Sequence, residues 1–196
     1  MSCDPKGAFF RKFAVRTTLR FTLLLAVGMT VAAVGVFLGL RHSLLRETDE
    51  VLEGDMYEFE LRLADPRWGD TFLKSELVRE VEGRGSQLMF YRLFDPDGQP
   101  AWTVGPELSD RWLPPSAAIG SAADGHREHL ILPGDGGDDC MTLVATAMLP
   151  DGQSRACQIG ISLAPMNRRL VNVALVLGAL GLPVLGVGAF ISYRSA

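Results

Sequence analysis

FTLLLAVGMTVAAVGVFLGL occupies residues 21–40 and contains no charged residue and no histidine. A second stretch of the same kind, LVNVALVLGALGLPVLGVGAFISY, occupies residues 170–193. At a rise of about 1.5 Å per residue, each stretch makes a helix of roughly 30 Å or more, which is enough to cross the apolar core of a bilayer. The sequence therefore predicts two transmembrane helices with a long polar segment, residues 41–169, between them.

The distribution of charge predicts the orientation of the chain. Residues 1–20 carry five basic residues and one acidic residue, whereas residues 41–169 contain 22 acidic and 13 basic residues. Basic residues next to membrane segments favour the cytoplasmic side. We therefore expect residues 1–20 and 194–196 in the cytoplasm, residues 41–169 outside, and the inner (cytoplasmic) membrane as the location. The basic N-terminus is expected to contact anionic membrane lipid and not nucleic acid.

A cleaved signal peptide is the alternative for the first apolar run. Its basic start fits that interpretation. The run is longer than the usual apolar region of about 7–15 residues, and no small-x-small cleavage site follows it. An uncleaved membrane anchor is therefore favoured.

The middle segment reads as helices followed by strands, which predicts an α+β domain. The first helix is expected to continue outward to Ala64, because Asp65-Pro66 disfavours helical geometry before the proline. A second helix is expected over residues 71–82, with Asp70 as its cap and Gly83 as its stop. Alternating or β-rich stretches then predict an antiparallel sheet of about five strands. These strands are expected at residues 86–94, 100–104, 126–132, 140–148 and 154–163, with a loop at 105–125.

Apolar residues recur along the outward helix at the spacing of a heptad stripe, with one polar member at Asp49. One interpretation is a helix that packs on its own domain, and the other is a dimer seam continuous with the membrane helix. Residues on this stripe and at the entry to the second membrane helix are predicted to transmit a signal. They are Leu45, Leu52, Met56, Phe59 and Leu63, together with Arg168, Arg169 and Leu170.

Small residues recur four apart within both apolar runs, a spacing that permits close helix packing in lipid. The sequence does not indicate whether such packing is within one chain or between two chains. The positions are Gly28, Ala32, Gly35 and Gly39 in the first run, and Ala174 and Gly178 in the second.

Two cysteines lie in the predicted last hairpin, and a third, Cys3, is expected in the cytoplasm. The turn at residues 150–152 places Cys157 opposite Ala145 or Thr146, so that Cys140 is offset along the sheet by roughly 17 Å. Bridged Cα atoms must approach within about 7 Å. Two separate thiols are therefore expected.

Residues that could perform chemistry are sparse, and no catalytic residue, cofactor or metal site is predicted. His126 and His129 are three apart on a predicted strand, so they point to opposite faces and cannot easily share a metal. Asp95 and Asp97 supply only a fragment of a calcium-loop pattern, and turn chemistry accounts for them. Phosphate-binding and hydrolase motifs are absent from the sequence.

The order of these features resembles the input half of a bacterial sensor histidine kinase. Three stretches carry the resemblance. RTTLRFTLLLAVGMTVAAVGVFLGLRHSLLRETDEVL is similar to a membrane anchor followed by an outward helix. LFDPDGQPAWTVG is similar to a sensor-domain hairpin with an Asp-x-x-Gly turn. CQIGISLAPMNRRLVNVALVLGALGLPVLGVGAFISYR is similar to a final strand that runs into the second anchor.

The resemblance implies a membrane-anchored, homodimeric signal-input module that senses an unknown extracytoplasmic ligand or protein. The family's kinase activity depends on a coiled-coil linker, a phospho-accepting histidine and an ATP-binding domain. None of these follows Arg194, so a truncated chain without kinase activity is expected. The alternative is a free-standing membrane-anchored interaction or assembly protein of the cell envelope without signalling activity.

Overall fold

The computed structural model describes residues 5–85, 88–106, 111–134 and 138–195. These residues divide into two compact units, one comprising residues 44–167 and the other comprising the residues up to 43 and from 168 onward. The helices are α1 (Pro5–Ala64), α2 (Asp70–Gly83), α3 (Ser116–Ala123) and α4 (Ala164–Ser195). The strands are β1 (Met89–Phe94), β2 (Pro100–Val104), β3 (Glu128–Leu132), β4 (Cys140–Met148) and β5 (Ser154–Ser162).

The unit of residues 44–167 has the predicted α+β architecture. Its five strands form one antiparallel sheet in the order β2-β1-β5-β4-β3. Strand β5 is central, because β1 pairs with it on one side and β4 on the other. Strand β3 lies at one edge of the sheet and β2 at the other. The last strand of the chain is therefore held by backbone hydrogen bonds along both of its sides.

The two faces of the sheet are covered differently. Helices α1 and α2 pack on one face, where Leu52, Met56 and Phe59 are at most 1% exposed and share a core with Leu73 and Leu77 of α2. The opposite face carries smaller clusters. These contain Phe90, Trp112, Leu132 and Cys140, and separately Phe94, Ala122, Val144 and Ala156.

Helix α3 corrects the predicted loop at residues 105–125. The serine, glycine and proline content of this stretch favoured a loop. The helix forms nonetheless over SAAIGSAA, directly after Pro115, whose carbonyl accepts the backbone N–H of Ala118 at 2.9 Å. Alanine has the highest helix propensity, and Ala118 and Ala122 are small enough to be buried. The helix was missed because its buried residues are alanines and not large apolar side chains.

The other element bounds agree with the sequence prediction in part. Helix α1 ends at Ala64, before Asp65-Pro66, as expected. Helix α2 begins one residue earlier than predicted, because Gly69 and not Asp70 occupies the N-cap position. Strand β1 begins at Met89 and β3 at Glu128, and the predicted strand start at Ser86 lies outside the described residues.

The register of the last hairpin confirms the prediction for the cysteines. Cys157 pairs with Ala145, whereas Cys140 pairs with Ser162 at the far end of the two strands. Both thiols are free and buried. Cys3 lies outside the described residues.

The second unit contains the apolar parts of α1 and α4. The segments Arg20–Ala64 and Ala164–Gly188 are helices long and apolar enough to span a membrane, by length and composition. Within this unit, Ala26, Met29, Ala33 and Phe37 of α1 and Leu177 and Gly181 of α4 line a cleft of about 690 Å³. Met29 approaches within 3.6 Å of the position that a Cβ would occupy at Gly181.

Truncation of Phe59 tests the role of α1 in the core. Phe59 is 1% exposed and packs edge-on against Tyr91 and Trp102, with ring centroids at 5.2 and 6.0 Å. We expect Phe59→Ala to lower the free energy of unfolding by about 3–5 kcal/mol, because it leaves a cavity in the core. Urea unfolding of the full chain in detergent micelles, followed by tryptophan fluorescence, measures the change.

Leu113→Ala is the control, because Leu113 is 50% exposed and lies outside the core that contains Phe59. Its effect is expected to stay within about 0.5 kcal/mol. Equal losses for the two variants would contradict the packing described above.

Candidate functional site

The predicted stripe of α1 lies in the core of its own domain. Leu52, Met56, Phe59 and Leu63 are buried there, and Leu45 is half-buried against the same cluster. These side chains fix the rotation of α1 about its axis relative to the sheet. A contact between α1 and a second chain would use a different face of the helix. Signal transmission through the stripe stays a prediction.

The polar member of the stripe, Asp49, takes part in a group of ion pairs between α1 and the edge strand β3. His129 contacts Asp49 through Nδ1 at 2.7 Å and Glu53 through Nε2 at 2.9 Å. Arg127 binds Glu53 at 2.7 Å and Glu60 at 2.7 Å. We call these five residues the β3 strap. The β3 strap holds one flank of α1 to the edge strand β3.

Glu60 is the most enclosed acid of the β3 strap, with a side chain that is 20% exposed. Burial raises the pKa of its carboxyl, and the charge of Arg127 and the hydrogen bond from its guanidinium only partly oppose this. Sequence reasoning treated His129 as part of an ordinary exposed strand. The signal that could have indicated its partners is the run of acids on one flank of α1, four and seven residues apart.

A second set of polar contacts holds α2 to α1 and to the sheet. Arg84 binds both carboxylate oxygens of Asp55, at 2.7 and 2.8 Å, and also binds Glu80 at 2.8 Å. Glu80 further accepts hydrogen bonds from Arg62 at 2.9 Å and from the Tyr91 hydroxyl at 2.9 Å. Glu80 is therefore the shared acceptor of three donors that come from α1, β1 and the end of α2.

The pKa values of this group follow from its geometry. Burial favours the neutral form of Glu80, but the hydrogen bonds from Arg62, Tyr91 and Arg84 outweigh it and lower the pKa of the carboxyl. Burial and the nearby negative charge of Glu80 raise the pKa of Tyr91 well above its usual value, so Tyr91 stays a hydrogen-bond donor. The hydrogen bonds to Asp55 raise the pKa of Arg84, although burial opposes them.

The other helix that enters this unit, α4, begins where the central strand ends. Only Leu163 separates Ser162, the last residue of β5, from Ala164, the first residue of α4. The Leu163 N–H donates to the Asp139 carbonyl at 2.7 Å, and the Ala164 N–H donates to the Ser162 hydroxyl at 3.2 Å. Met166 is half-buried and packs against the same core as Leu45. Arg168 and Arg169, the predicted transmission residues that follow, are exposed.

The opposite face of the sheet holds a buried polar group that sequence reasoning missed. Arg92 is completely buried and donates to Gln158 at 2.8 Å and to the Thr103 hydroxyl at 3.0 Å. Gln158 in turn donates to Thr142 at 2.9 Å and to the Trp112 carbonyl at 3.1 Å. A charged residue within the apolar strand β1 and a polar residue in the middle of β5 were the available signal.

The described residues offer little chemistry of the catalytic kind. Burial raises the pKa of Cys140 to about 12, although the charge of Arg92 opposes it, and burial raises the pKa of Cys157 further still. Such thiols are poor nucleophiles at neutral pH. Within the described ranges, no group of three or more His, Cys, Asp or Glu side chains is arranged to hold a metal ion.

The small residues predicted to mediate helix packing lie mostly away from the cleft in their unit. Gly28, Ala32, Gly35 and Gly39 are exposed, and a Cβ added at any of the three glycines would meet no atom within 4 Å. Ala174 and Gly178 do line the cleft. Close packing at these six positions stays a prediction.

Neutralising Glu80 tests the group that holds α2 in place. We expect Glu80→Gln to lower the free energy of unfolding at pH 7 by about 1–2 kcal/mol, because charge-assisted hydrogen bonds lose their anion. The folded-state pKa of Glu80 lies below its ordinary value of 4.5, so its stabilisation is present above pH 4.5 and is lost as the pH falls through the folded-state pKa. The difference between wild type and variant should therefore shrink in acid.

Urea unfolding at a series of pH values measures this difference. Glu76→Gln is the control, because Glu76 lies on the same helix and its one ion pair among the described residues is with the exposed Arg79, at 3.3 Å. A gap between wild type and Glu80→Gln that stays constant from pH 7 to pH 3 would contradict the assigned role of the charge.

Comparison with solved structures gives a limited structural likeness. No family model matches the chain, and a search of the curated proteins gives no match. Among solved structures, the chain is similar to the sensor domain of the zinc-responsive histidine kinase CzcS from Pseudomonas aeruginosa. The match has 15% sequence identity and a TM-score of 0.26, and covers 50% of this chain and 98% of that one. At these values the likeness does not establish a shared fold or function.

Proposed function

We propose that this chain is the membrane-anchored signal-input module of a two-component sensor histidine kinase. In this proposal the segments at residues 21–40 and 170–193 cross the inner membrane and both termini are cytoplasmic. The unit of residues 44–167 faces outward and senses an extracytoplasmic stimulus. The basic N-terminus and the acidic middle segment support this orientation.

One observation carries the proposal: both long helices enter the same small core. Leu45 of α1 and Met166 of α4 pack against one cluster of buried residues. That cluster also includes Cys157 and Ile159 of β5. Only one residue separates the end of β5 from the start of α4. A change in the packing of this core would alter the positions of both helices at the points where they leave it.

The proposed mechanism is a shift between two arrangements of the core. A stimulus can shift that equilibrium only through a difference in its affinity for the two arrangements. Two sets of ion pairs hold α1 from two sides, and ion pairs are directional contacts. One set is the β3 strap. The other, which we call the Glu80 group, comprises Asp55, Arg62, Glu80, Arg84 and Tyr91. Such contacts can be exchanged between alternative partners, whereas the buried stripe keeps the helix on the sheet.

The proposal includes a homodimer, for which α1 offers an outward face. Val51, Tyr57 and Leu61 are 38%, 61% and 53% exposed on the side of the helix away from the buried stripe. A Cβ added at Gly54, between them, would meet no atom within 4 Å, so the backbone is open to approach there. A second copy anchored in the same membrane would present the same face in parallel orientation.

A chimera tests the signalling role. The chain, from Met1 to Ala196, is joined to the linker and kinase region of a sensor histidine kinase and reconstituted in vesicles. We expect Leu45→Ala and Met166→Ala each to change the basal rate of autophosphorylation by about twofold or more, because coupling energies of about 0.5–2 kcal/mol are typical of such positions. Leu113→Ala, at a side chain that is 50% exposed, is the control and should have no effect.

An active chimera whose rate is the same in all three variants would contradict the proposal. It would favour instead a membrane-anchored assembly protein that holds its outer domain against an envelope partner.

Crosslinking of single cysteines tests the dimer. In native membranes, and in a chain that carries Cys3→Ser, cysteines introduced one at a time at Val51, Tyr57 and Leu61 should form intermolecular disulfides on mild oxidation, because the proposed contact brings equivalent positions together. The native Cys140 and Cys157 are buried. A cysteine at Ser75, exposed on α2, is the control and should stay monomeric. A profile without difference between α1 and the control would reject this contact.

A further inference from the structure

A cleft of about 500 Å³ lies where α1 ends and α2 begins, beside the ends of the two hairpins. Its walls come from the α1–α2 connection, the first turns of α2, the hairpin of β1 and β2, and the turn between β4 and β5. A volume of this size is within the range of pockets that bind small molecules, about 300–1,000 Å³. All of the lining residues belong to the unit of residues 44–167.

The cleft has an apolar wall with two aromatic rings. Trp68 and Trp102 line it, together with Leu63, Leu73 and Leu93. Trp68 packs against Phe72 at a ring-centroid distance of 5.3 Å, which supports its orientation. This wall suits a planar or aliphatic group.

Two residues that line the same cleft each carry a hydrogen-bond donor without an acceptor. The indole Nε1–H of Trp102 and the guanidinium Nε–H of Arg155 are buried, and neither has a hydrogen-bond partner among the residues that the structure describes. A buried donor without an acceptor is costly, and most buried donors in folded proteins are satisfied. Both residues line the cleft, so a small adjustment of either side chain would bring its N–H to an acceptor bound there.

The two donors lie on β2 and β5, the strands on either side of β1 in the sheet. Leu93 of β1 pairs with Trp102 of β2 on one side and with Cys157 of β5 on the other. Arg155 lies two residues from Cys157 and therefore on the same face of the sheet. Lys74 adds a cation, with its Nζ 5.3 Å from the centroid of the Trp102 ring.

The acids of the cleft already have partners. Asp70 lies 3.8 Å from the Lys74 ammonium, and Asp151 accepts the backbone N–H of Gln153 at 2.9 Å. Helix α2 starts at this cleft from Gly69, which provides no side-chain acceptor for the first amides of the helix. Asp70 and Asp151 are also exposed, so water can meet their remaining capacity. The buried atoms of the cleft with unmet capacity are donors, and these select a ligand that carries acceptor oxygens.

We propose that this cleft binds a small carboxylate that carries an aromatic or other apolar group. The carboxylate accepts hydrogen bonds from Trp102 and Arg155 beside the Lys74 charge, and the apolar group packs on Trp68 and the leucines. Leu63 belongs both to the cleft and to the buried stripe of α1. A ligand bound in the cleft would therefore contact α1 through Leu63. Transmission of ligand binding along α1 is the one step that rests on the proposed function.

Calorimetric titration of the full chain in lipid nanodiscs with phenylacetate tests the site. Phenylacetamide, which has the same ring and shape without the charge, is the ligand control. We expect phenylacetate to bind at least about tenfold more tightly than phenylacetamide, because hydrogen bonds to an ionised acceptor are the stronger ones. Trp102→Phe, which keeps a ring but removes the N–H, should weaken phenylacetate binding by about three- to tenfold.

Arg155→Gln should weaken phenylacetate binding by about tenfold or more. Arg79→Gln is the matched control, because it removes the same charge from a side chain that is 79% exposed, and it should bind as wild type does. Absence of phenylacetate binding, equal affinity for the two ligands, or equal losses in Arg155→Gln and Arg79→Gln would each overturn the proposal. If Trp102→Phe fails to fold, the comparison of the two ligands on the wild type still decides.

Titration without a kinase region separates this site from the signalling proposal. Phenylacetate that binds the chain but leaves the chimera's autophosphorylation unchanged supports the site and contradicts its coupling to output. A chimera that responds to substitutions at Leu45 and Met166, in a chain that does not bind phenylacetate, supports the input function and overturns the site.

Discussion

The packing of one stripe of α1 on the sheet is the constraint on which the rest of the 44–167 unit depends. Leu52, Met56, Phe59 and Leu63 occupy one side of the helix and are all almost completely buried. Because a helix places residues three and four apart on the same side, this choice of stripe determines which residues lie on each flank. On one flank, Asp49, Glu53 and Glu60 take part in the β3 strap. On the other flank, Asp55 and Arg62 bind Arg84 and Glu80. Val51, Tyr57 and Leu61 lie on the exposed side of the helix.

Much of this arrangement could be predicted from sequence, because local patterns control it. The apolar spacing identified the α1 stripe, and Asp65-Pro66 identified Ala64 as the last residue of the helix. The turn at residues 150–152 was enough to give the pairing of Cys157 with Ala145, since register in a hairpin follows from its turn. From that pairing, two unlinked thiols followed by distance alone.

The parts that could not be predicted depend on contacts between residues far apart in the chain. His129 meets Asp49 across 80 residues and Arg92 meets Gln158 across 66, and no local pattern records such pairs. Helix α3 was not predicted for a different reason. Its buried side chains are alanines, and the residues on either side of it have the composition of a loop. The orphaned donors of Trp102 and Arg155 likewise became visible only when three strands and two helices were assembled around them.

The two faces of the sheet differ in the kind of contact that holds them, and this difference bears on how the domain could change state. On the α1 side, the stripe is held by dispersion contacts between apolar side chains, so a small shift of the helix weakens these contacts but leaves no buried charge unpaired. On the other side, the buried Arg92–Gln158–Thr142 group requires defined geometry, because a displaced buried donor would be left unsatisfied. Movement within the domain is therefore expected between α1 and the sheet, while the sheet itself stays rigid. The central strand β5 belongs to both faces, and it leads within one residue into α4. A rigid β5 with a movable α1 would give the two helices different responses to the same event in the core, and the proposed input function requires a relative displacement of that kind.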